Sequence, residues 1–296
     1  MKKLQTYLFA VFFLGLTILT SCSETGGPAA PQGAENHEGI HSLQKSGNCV
    51  TPPSGLVSWW PADGDALDIV GGNHGTLQNG AAFTSGMVGQ AFSFDGVDDI
   101  VIAPATGLPA GASPRTVALW VKVDPQQEAH AAAFGYDGEY NGGGFHIFPV
   151  SYGGRLFFTG HGSAFDLAAP NDLRDGQYHH VAVTYDNDGT VTIYVDGVAV
   201  AARYVNLNTG LSGGVGIGGR APMFQFLHGE VDEAAVWNRD LSASEIQAIF
   251  NAGSAGMCKE VTICHKPGTP AQKTLVIPIQ ALKGHLGHGD AMGPCQ

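Results

Sequence analysis

Apolar and polar residues alternate with a period of two along most of the chain between Leu56 and Asn251. The clearest case is residues 115–124, where one face is formed by Val117, Leu119, Val121 and Val123. Such alternation predicts a β-strand with one buried face. Glycine-rich breaks separate about twelve segments of this kind, without helical crossovers between them. The pattern predicts an all-β fold of two antiparallel sheets packed face to face.

Turn residues give the same answer locally. From His179 onward, three alternating segments are separated by Asn187-Asp188-Gly189 and by Asp196-Gly197, which predicts a meander of three strands joined by hairpin turns. One helix is expected at the end of this region. Ser242 and Glu245 have the spacing of a capping box, and Gly253 suits the C-terminal cap.

The first residues have the features of an export signal. Lys2 and Lys3 precede an apolar run over residues 7–19, which is too short for a stable membrane span. The following Leu19-Thr-Ser-Cys22 resembles the lipobox of bacterial lipoproteins, which implies that residues 1–21 are removed and that Cys22 is lipidated. An ordinary signal with an incidental cysteine is the alternative. Lipidation would place the protein in the bacterial cell envelope, anchored to a membrane.

The segment 22–48 is rich in Gly, Pro and charge without periodicity and is expected to be a flexible tether. Beyond Cys22 the chain has four cysteines, an even number that suits an oxidising compartment. Three pairings are available, and we favour Cys49–Cys258 and Cys264–Cys295. The first pair would enclose a sandwich domain of residues 49–257, and the second a small module of residues 258–296.

Composition excludes two classes of function. Hydrophobic residues make up 44% of the chain, too many for a disordered protein. The formal net charge is −12, which argues against a surface that tracks nucleic-acid phosphates. We therefore expect no nucleic-acid partner.

Five segments, taken in chain order, carry a family resemblance. They are GLVSWWPADG (55–64), NHGTL (73–77), GQAFSFDGVDD (89–99), YHHVAVTY (178–185) and GEVDEAAVWNRDLS (229–242). Together they resemble the LamG-like (laminin G, pentraxin-like) domains of the concanavalin A-like lectin/glucanase superfamily. The resemblance implies a two-sheet antiparallel jelly roll, with one short C-terminal helix and the small Cys/His module added to it. It does not fix the function, because this sandwich carries binding modules as well as enzymes.

Catalytic relatives on this fold use a Glu-x-Asp-x-Glu strand, whose alternation points three carboxylates into one cleft. The nearest match here is Glu230-Val-Asp232-Glu233-Ala234, with alanine at the third position. Alternation would also point Glu233 away from Glu230 and Asp232. The sequence therefore predicts a protein without glycosidase activity.

Calcium is implied by the resemblance, since many LamG-like sandwiches hold this ion through loop carboxylates and carbonyls. Six to eight oxygens are needed, so several loops must contribute. The acidic loops supply Asp63, Asp65, Asp68, Asn73, Asp95, Asp98, Asp99 and Asp232. Asp63, Asp98 and Asp232 are the preferred ligands, and turn formation with solvated charges is the alternative.

A glycan-binding loop should offer flat aromatic rings and a few polar groups. The glycine-rich segment 135–144 offers such a set. Its candidate ligand-binding residues are Tyr136, Asp137, Tyr140 and Asn141. Turn chemistry and packing of the tyrosines over the sheet rim are the alternative explanation.

The last 39 residues differ in character, with four lysines against Glu260 and Asp290. So short a unit needs a disulfide or a metal to help stabilise it. His285 and His288 lie one turn apart if a helix starts at Pro278, and with His265 and Asp290 they are candidate ligands of a transition metal. Structural histidines are the default alternative.

Taken together, these features predict a non-catalytic, surface-tethered module that recognises a glycan or glycoprotein, with calcium as a candidate cofactor. The alternative is a structural or protein–protein adhesion module of the cell envelope without sugar specificity.

Overall fold

The computed structural model describes residues 49–128, 130–137, 140–151, 153–220 and 224–296, and only the backbone of Asp137. The predicted signal, the tether and the lipidated Cys22 lie outside the described residues.

In the part of the chain that the structure describes, the regular structure consists of eighteen strands, two α-helices and two short 3-10 helices. The strands are β1 (Leu56–Trp60), β2 (Thr76–Gln78), β3 (Ala82–Ser85), β4 (Gln90–Asp95), β5 (Ile100–Ala103), β6 (Arg115–Val123), β7 (Phe134–Asp137), β8 (Gly144–Phe148), β9 (Phe157–Thr159), β10 (Asp166–Ala168), β11 (Tyr178–Tyr185), β12 (Thr190–Val195), β13 (Val198–Tyr204), β14 (Val215–Ile217), β15 (His228–Trp237), β16 (Glu260–His265), β17 (Lys273–Pro278) and β18 (Ala291–Met292). The helices are α1 (Ala243–Ala252) and α2 (Ile279–Gly287).

Two large antiparallel sheets form the sandwich. The eight-stranded sheet has the order β13-β12-β11-β6-β15-β4-β3, with β1 also paired to β15. The seven-stranded sheet has the order β10-β9-β8-β7-β14-β5-β2. This jelly-roll sandwich confirms the predicted fold class, and β11, β12 and β13 form the predicted meander. The two sheets of the sandwich contain more strands than the twelve or so predicted from the sequence. Several of these strands have only three residues, which is too few to show alternation.

The main core lies between the two sheets. As the alternation predicts, Val117, Leu119, Val121 and Val123 of β6 all point into it and are buried. The seven-stranded sheet contributes Phe134, Tyr136, Phe145, Phe158 and Ile217. Residues between these on the same strands therefore point to the outer face of that sheet.

A second apolar cluster covers the outer face of the eight-stranded sheet. Trp59 and Trp237 of that sheet pack there with Ile246 and Ile249 of α1. The predicted helix cap is confirmed, since Ser242 and Glu245 form a capping box and Gly253 is the C-cap. Val261 and Ile263 of the C-terminal module belong to the same cluster.

The C-terminal module consists of α2 and a three-stranded sheet of order β17-β16-β18. The structure contains the disulfides Cys49–Cys258 and Cys264–Cys295, the pairing favoured from the sequence. Among the described residues, no helix combines the length and the apolar character needed to cross a bilayer.

Candidate functional site

A row of cross-strand partners crosses the outer face of the seven-stranded sheet. Gly216 of β14 pairs with Gly135 of β7, which pairs with His146 of β8. His146 then pairs with Thr159 of β9, and Thr159 pairs with Asp166 of β10. Because the flanking residues of these strands enter the core, this row of small and polar residues lies on the outer face.

Two imidazoles and a guanidinium meet above this row. The Nε2 atoms of His146 and His161 lie 3.1 Å apart, and Nη2 of Arg220 lies 2.8 Å from Nδ1 of His161. The guanidinium also lies over the Phe224 ring, 4.6 Å from its centroid. His146 is 1% exposed, whereas His161 and Arg220 are half-buried. The cluster therefore reaches the protein surface on the side of His161 and Arg220.

Hydrogen bonds from the sheet orient His161. Its backbone N–H donates to Oγ1 of Thr159 over 2.9 Å, and the Thr159 hydroxyl donates to Oδ1 of Asp166 over 2.5 Å. Burial raises the pKa of the Asp166 carboxyl. This chain of bonds attaches the loop that carries His161 to the strands β9 and β10.

A depression of about 310 Å³ adjoins the cluster. It is lined by His130, Ser151, Gly153, Arg155, Phe157 and Ala168. Phe148 connects the two features, since its ring centroid lies 6.2 Å from that of His146 and 6.5 Å from that of Phe157. The volume is within the range of small-ligand sites. We call the set His146, Phe148, Phe157, His161 and Arg220 the sheet-face site.

Glycine is required beside both imidazoles. A Cβ atom on Gly135 would lie 1.9 Å from Nδ1 of His146, and one on Gly144 would lie 2.1 Å from Cδ2 of His161. Neither glycine has a positive φ angle, so space rather than backbone conformation demands the residue. Gly135 and Gly144, which bound the candidate glycan-binding loop of the sequence prediction, make room for the site.

Gly135→Ala is expected to force His146 out of its position and to lower the free energy of unfolding by about 1–3 kcal/mol, as overpacking does. Urea denaturation measures the loss. Gly284→Ala is the matched control, because a Cβ there meets no atom within 4 Å. In the interior of α2 the alanine should stabilise the protein by about 0.5–1 kcal/mol. Equal stabilities for Gly135→Ala and wild type would contradict the crowding.

The residues of the predicted ligand-binding loop lie partly in the core and partly at the surface. Tyr136 is 1% exposed and faces the core, where it stacks on Phe145, so its assignment to ligand binding is wrong. Burial raises the pKa of its hydroxyl, which donates to the Pro109 carbonyl. Tyr140 and Asn141 are exposed, and the Tyr140 hydroxyl donates to the Asn208 carbonyl over 3.0 Å. The side chain of Asp137 lies outside the described residues.

Asp63, Asp98 and Asp232 do not form one calcium site, which corrects that expectation. Oδ2 of Asp232 accepts from the Val88 N–H, just before β4 begins, whereas Asp98 lies beyond the other end of β4. A strand of six residues is about 16 Å long, too far for a shared ion.

Asp63 and Asp232 are instead near a protein cation. Lys259 of the C-terminal module forms an ion pair with Asp63, and its Nζ lies 3.5 Å from Oε1 of Glu233. Burial raises the pKa of Asp232 to about 7 and that of Glu233 to about 8. The ammonium group supplies the positive charge that a metal ion would bring, so these carboxylates do not fit a calcium site.

Alternation predicts that Glu233 points away from Asp232. The structure differs from this prediction because the register of β15 shifts between Asp232 and Ala235. Glu233 has a φ angle of 55° and accepts a hydrogen bond from Nε1 of Trp59 in the outer cluster. Both carboxylates are thus buried, and Glu233 lies next to Lys259 of the C-terminal module. Glu230, in turn, pairs with Lys122 and accepts from the Tyr178 hydroxyl.

Asp98 belongs to a different acidic group. Carboxylate oxygens of Asp95, Asp98 and Asp99 lie within 4.8 Å of one another. Asp99 is 4% exposed, and its Oδ1 accepts no hydrogen bond from the residues that the structure describes. Burial, reinforced by the charges of Asp95 and Asp98, raises the pKa of Asp99. A buried oxygen without a partner, next to two further carboxylates, fits a cation.

The histidines of the C-terminal module are only partly brought together. His265, at the end of β16, and His285 of α2 both contact Asp290. His288 is the C-cap of α2 and is exposed, outside this cluster.

The sequence analysis missed His146, His161 and Arg220. A signal for His146 was present, because it alternates with Phe145 and Ile147 on an apolar strand. His161 and Arg220 come from loops 59 residues apart, and no local pattern links them.

Comparisons with known proteins concern the sandwich. Residues 95–247 match the Laminin_G_3 family of the concanavalin A-like lectin/glucanases superfamily. No curated protein matches the chain. Among solved structures, domain 4 of a GH43 extracellular arabinanase from Geobacillus stearothermophilus, in complex with arabinotriose, is similar, with a TM-score of 0.55 and 22% identity over 65% of this chain and 96% of that one.

Two toxin domains are also similar in fold. The binding domain of Paraclostridial Mosquitocidal Protein 1 has a TM-score of 0.55 and 12% identity over 75% of this chain and 63% of that one. The ligand-binding domain of botulinum neurotoxin serotype D, in complex with N-acetylneuraminic acid, has a TM-score of 0.51 and 10% identity over 77% of this chain and 63% of that one. The chain thus spans less than two thirds of each toxin domain.

Proposed function

Because the chain belongs to the concanavalin A-like lectin/glucanase superfamily, we propose that its sandwich is a non-catalytic module that binds a glycan or glycoprotein at the sheet-face site. The observation that carries the proposal is the pairing of a His-His-Arg cluster with a depression lined partly by phenylalanine. Sugars have hydroxyl groups for such polar groups and apolar faces for such rings. Domains of this fold in complex with arabinotriose and with N-acetylneuraminic acid support the same ligand class.

The position of the carboxylates supports a role without catalysis. In the segment that resembles a glucanase strand, alanine occupies position 234. Asp232 is fully buried and Glu233 is 5% exposed, with Lys259 of the C-terminal module next to Glu233. A glycosidase needs two carboxyl groups that reach the scissile bond, and a substrate has no access to these two.

Arg220→Ala is expected to weaken glycan binding by about 10- to 100-fold, since a hydrogen bond to a charged group contributes about 1.5–3 kcal/mol. A glycan array with the full chain identifies the ligand, and titration calorimetry then measures the affinity of each variant. Lys273→Ala is the control, because it removes an exposed positive charge from β17. Phe157→Ala should weaken binding as well.

Two outcomes would contradict this proposal. If folded Arg220→Ala and Phe157→Ala proteins bind the glycan like wild type, the ligand binds elsewhere. If the folded wild-type chain binds no glycan, the glycan-binding proposal is wrong, and the result favours the alternative of a protein–protein adhesion module.

Calcium dependence is part of the proposal, with Asp95, Asp98 and Asp99 as the ligands in place of the set first expected. The unpartnered Oδ1 of buried Asp99 supports this assignment. Calcium there would order the turn between β4 and β5. Repeating the array with a chelator tests the dependence, and unchanged binding would remove calcium from the proposal. We further propose that Cys22 carries a lipid that anchors the protein in the cell envelope.

A further inference from the structure

The C-terminal module contains two histidines that share one buried carboxylate. Oδ2 of Asp290 lies 2.8 Å from Nδ1 of His265 and 2.7 Å from Nδ1 of His285. The Asp290 side chain is 1% exposed, and the two imidazoles are 30% and 28% exposed. One carboxylate oxygen and two ring nitrogens therefore converge on a point that solvent can reach from the imidazole side.

Three separate constraints hold these groups in place. The Lys266 N–H donates to Oδ1 of Asp290 over 2.9 Å, so the second carboxylate oxygen is fixed as well. His265 follows Cys264, whose disulfide to Cys295 staples β16 to the end of the chain. Asp290 precedes β18, which pairs with β16 at Cys264 and Ala291. The strand pairing and the disulfide thus hold the segments that carry His265 and Asp290 next to each other.

We propose that His265, His285 and Asp290 bind a divalent transition metal, with Zn²⁺ as the preferred ion. Two imidazole nitrogens and one carboxylate oxygen are a usual ligand set for zinc, and a water molecule would complete the tetrahedron. Zinc bonds of about 2.0–2.1 Å place neighbouring ligand atoms about 3.3 Å apart. The present separations are about half an ångström shorter, so a small opening of the two rings makes room for the ion.

Zinc binding at Nδ1 changes the tautomer of both imidazoles but removes no proton from the site. For zinc to bind at Nδ1, each neutral imidazole must carry its proton on Nε2 instead. Because the rings are partly exposed, water can carry that exchange.

A bound metal would also help to stabilise the small C-terminal module. Residues 258–296 are too few to bury a large core, and a disulfide already staples them. A metal would connect β16, α2 and the segment before β18. The disulfide joins β16 to the end of the chain but does not connect α2. Zinc binding would therefore stabilise the helix against the small sheet.

The test is a calorimetric titration of the chelator-treated full chain with Zn²⁺ alone. Wild type should bind one equivalent, and His265→Gln and His285→Gln should each weaken that binding by about tenfold or more. His288→Gln is the matched control, because His288 lies on the same helix end but outside the cluster. It should bind zinc like wild type.

The absence of saturable zinc binding by wild type would overturn the proposal, and so would an equal loss in His288→Gln. A second measurement needs no variant and covers the case in which a substitution unfolds the module. Zn²⁺ should protect His265 and His285, but not His288, from carbethoxylation mapped by mass spectrometry. Equal modification of all three with and without zinc would show that the triad is only a hydrogen-bonded structural unit.

Discussion

Replacing both Cys49 and Cys258 by serine is expected to lower the free energy of unfolding by about 5 kcal/mol in the chain-entropy description of cross-links. The bond closes a loop with a sequence separation of 209 residues, so it removes much freedom from the unfolded chain. In the folded state it adds to a short parallel bridge, in which the Val50 N–H donates to Gly256 and the Cys258 N–H donates to Val50. Urea unfolding of wild type and variant measures the difference.

The second disulfide provides the matched control. Cys264 and Cys295 are separated by only 31 residues, which corresponds to about 3.5 kcal/mol in the same description. A double serine variant of this pair should therefore lose less stability, and the loss should concern the C-terminal module. If removal of the Cys264–Cys295 bond lowers the free energy of unfolding more than removal of the Cys49–Cys258 bond, the entropic explanation of the Cys49–Cys258 bond is wrong.

Lys259→Met is expected to cost about 2–4 kcal/mol of stability at pH 8, because removing one partner strands the other charges in a buried site. Methionine keeps the apolar stem that lies near the Trp59 ring and removes only the ammonium group. What remains is Asp232 and Glu233, both buried, with Asp63 beside them.

The loss should depend strongly on pH. Burial raises the pKa of Asp232 to about 7 and that of Glu233 to about 8 in the folded protein, above the ordinary values near 4. The folded state thus holds protons that the unfolded state releases above about pH 4, so stability is complete below that pH, declines as the pH rises, and levels off above about pH 8. Without Lys259 this decline should continue to higher pH and reach a larger total loss, since nothing else compensates the two new charges.

Unfolding curves at pH 5, 7 and 9 test this expectation. Glu233→Gln should flatten the decline, because the amide oxygen can still accept from Trp59 but carries no charge. Lys273→Met, at an exposed position on β17, should change stability by less than about 0.5 kcal/mol at each pH. A Lys259→Met penalty that is the same at pH 5 and pH 9 would refute the electrostatic explanation.

Strand alternation predicted the sandwich well because it reports directly which face is buried. The faces of β6 were assigned correctly, and so was the cap of α1 by Ser242 and Glu245. Both depend on interactions within a few residues of chain. The cysteine pairing could be favoured from spacing because it joins the two ends of one compact unit.

The candidate site was harder to predict, because its side chains meet through sheet pairing rather than through sequence. Tyr136 lies in a glycine-rich stretch that suggests a loop, yet Gly135 and Gly144 are there to accommodate His146 and His161. Glu233 was placed on the wrong face because a single register shift in β15 reverses the alternation. The sequence could not show that Asp98 and Asp232 belong to different sites, because this depends on their lying near opposite ends of β4.

The bond between Cys49 and Cys258 also decides how the protein would respond to mechanical load. Tension between the segment before Cys49 and the C-terminal module would pass through the disulfide, directly from Cys49 to Cys258. This covalent path bypasses the two sheets between these residues. A pull of this kind would therefore strain the short C-terminal module while leaving the sandwich, with its sheet-face site, in its folded shape.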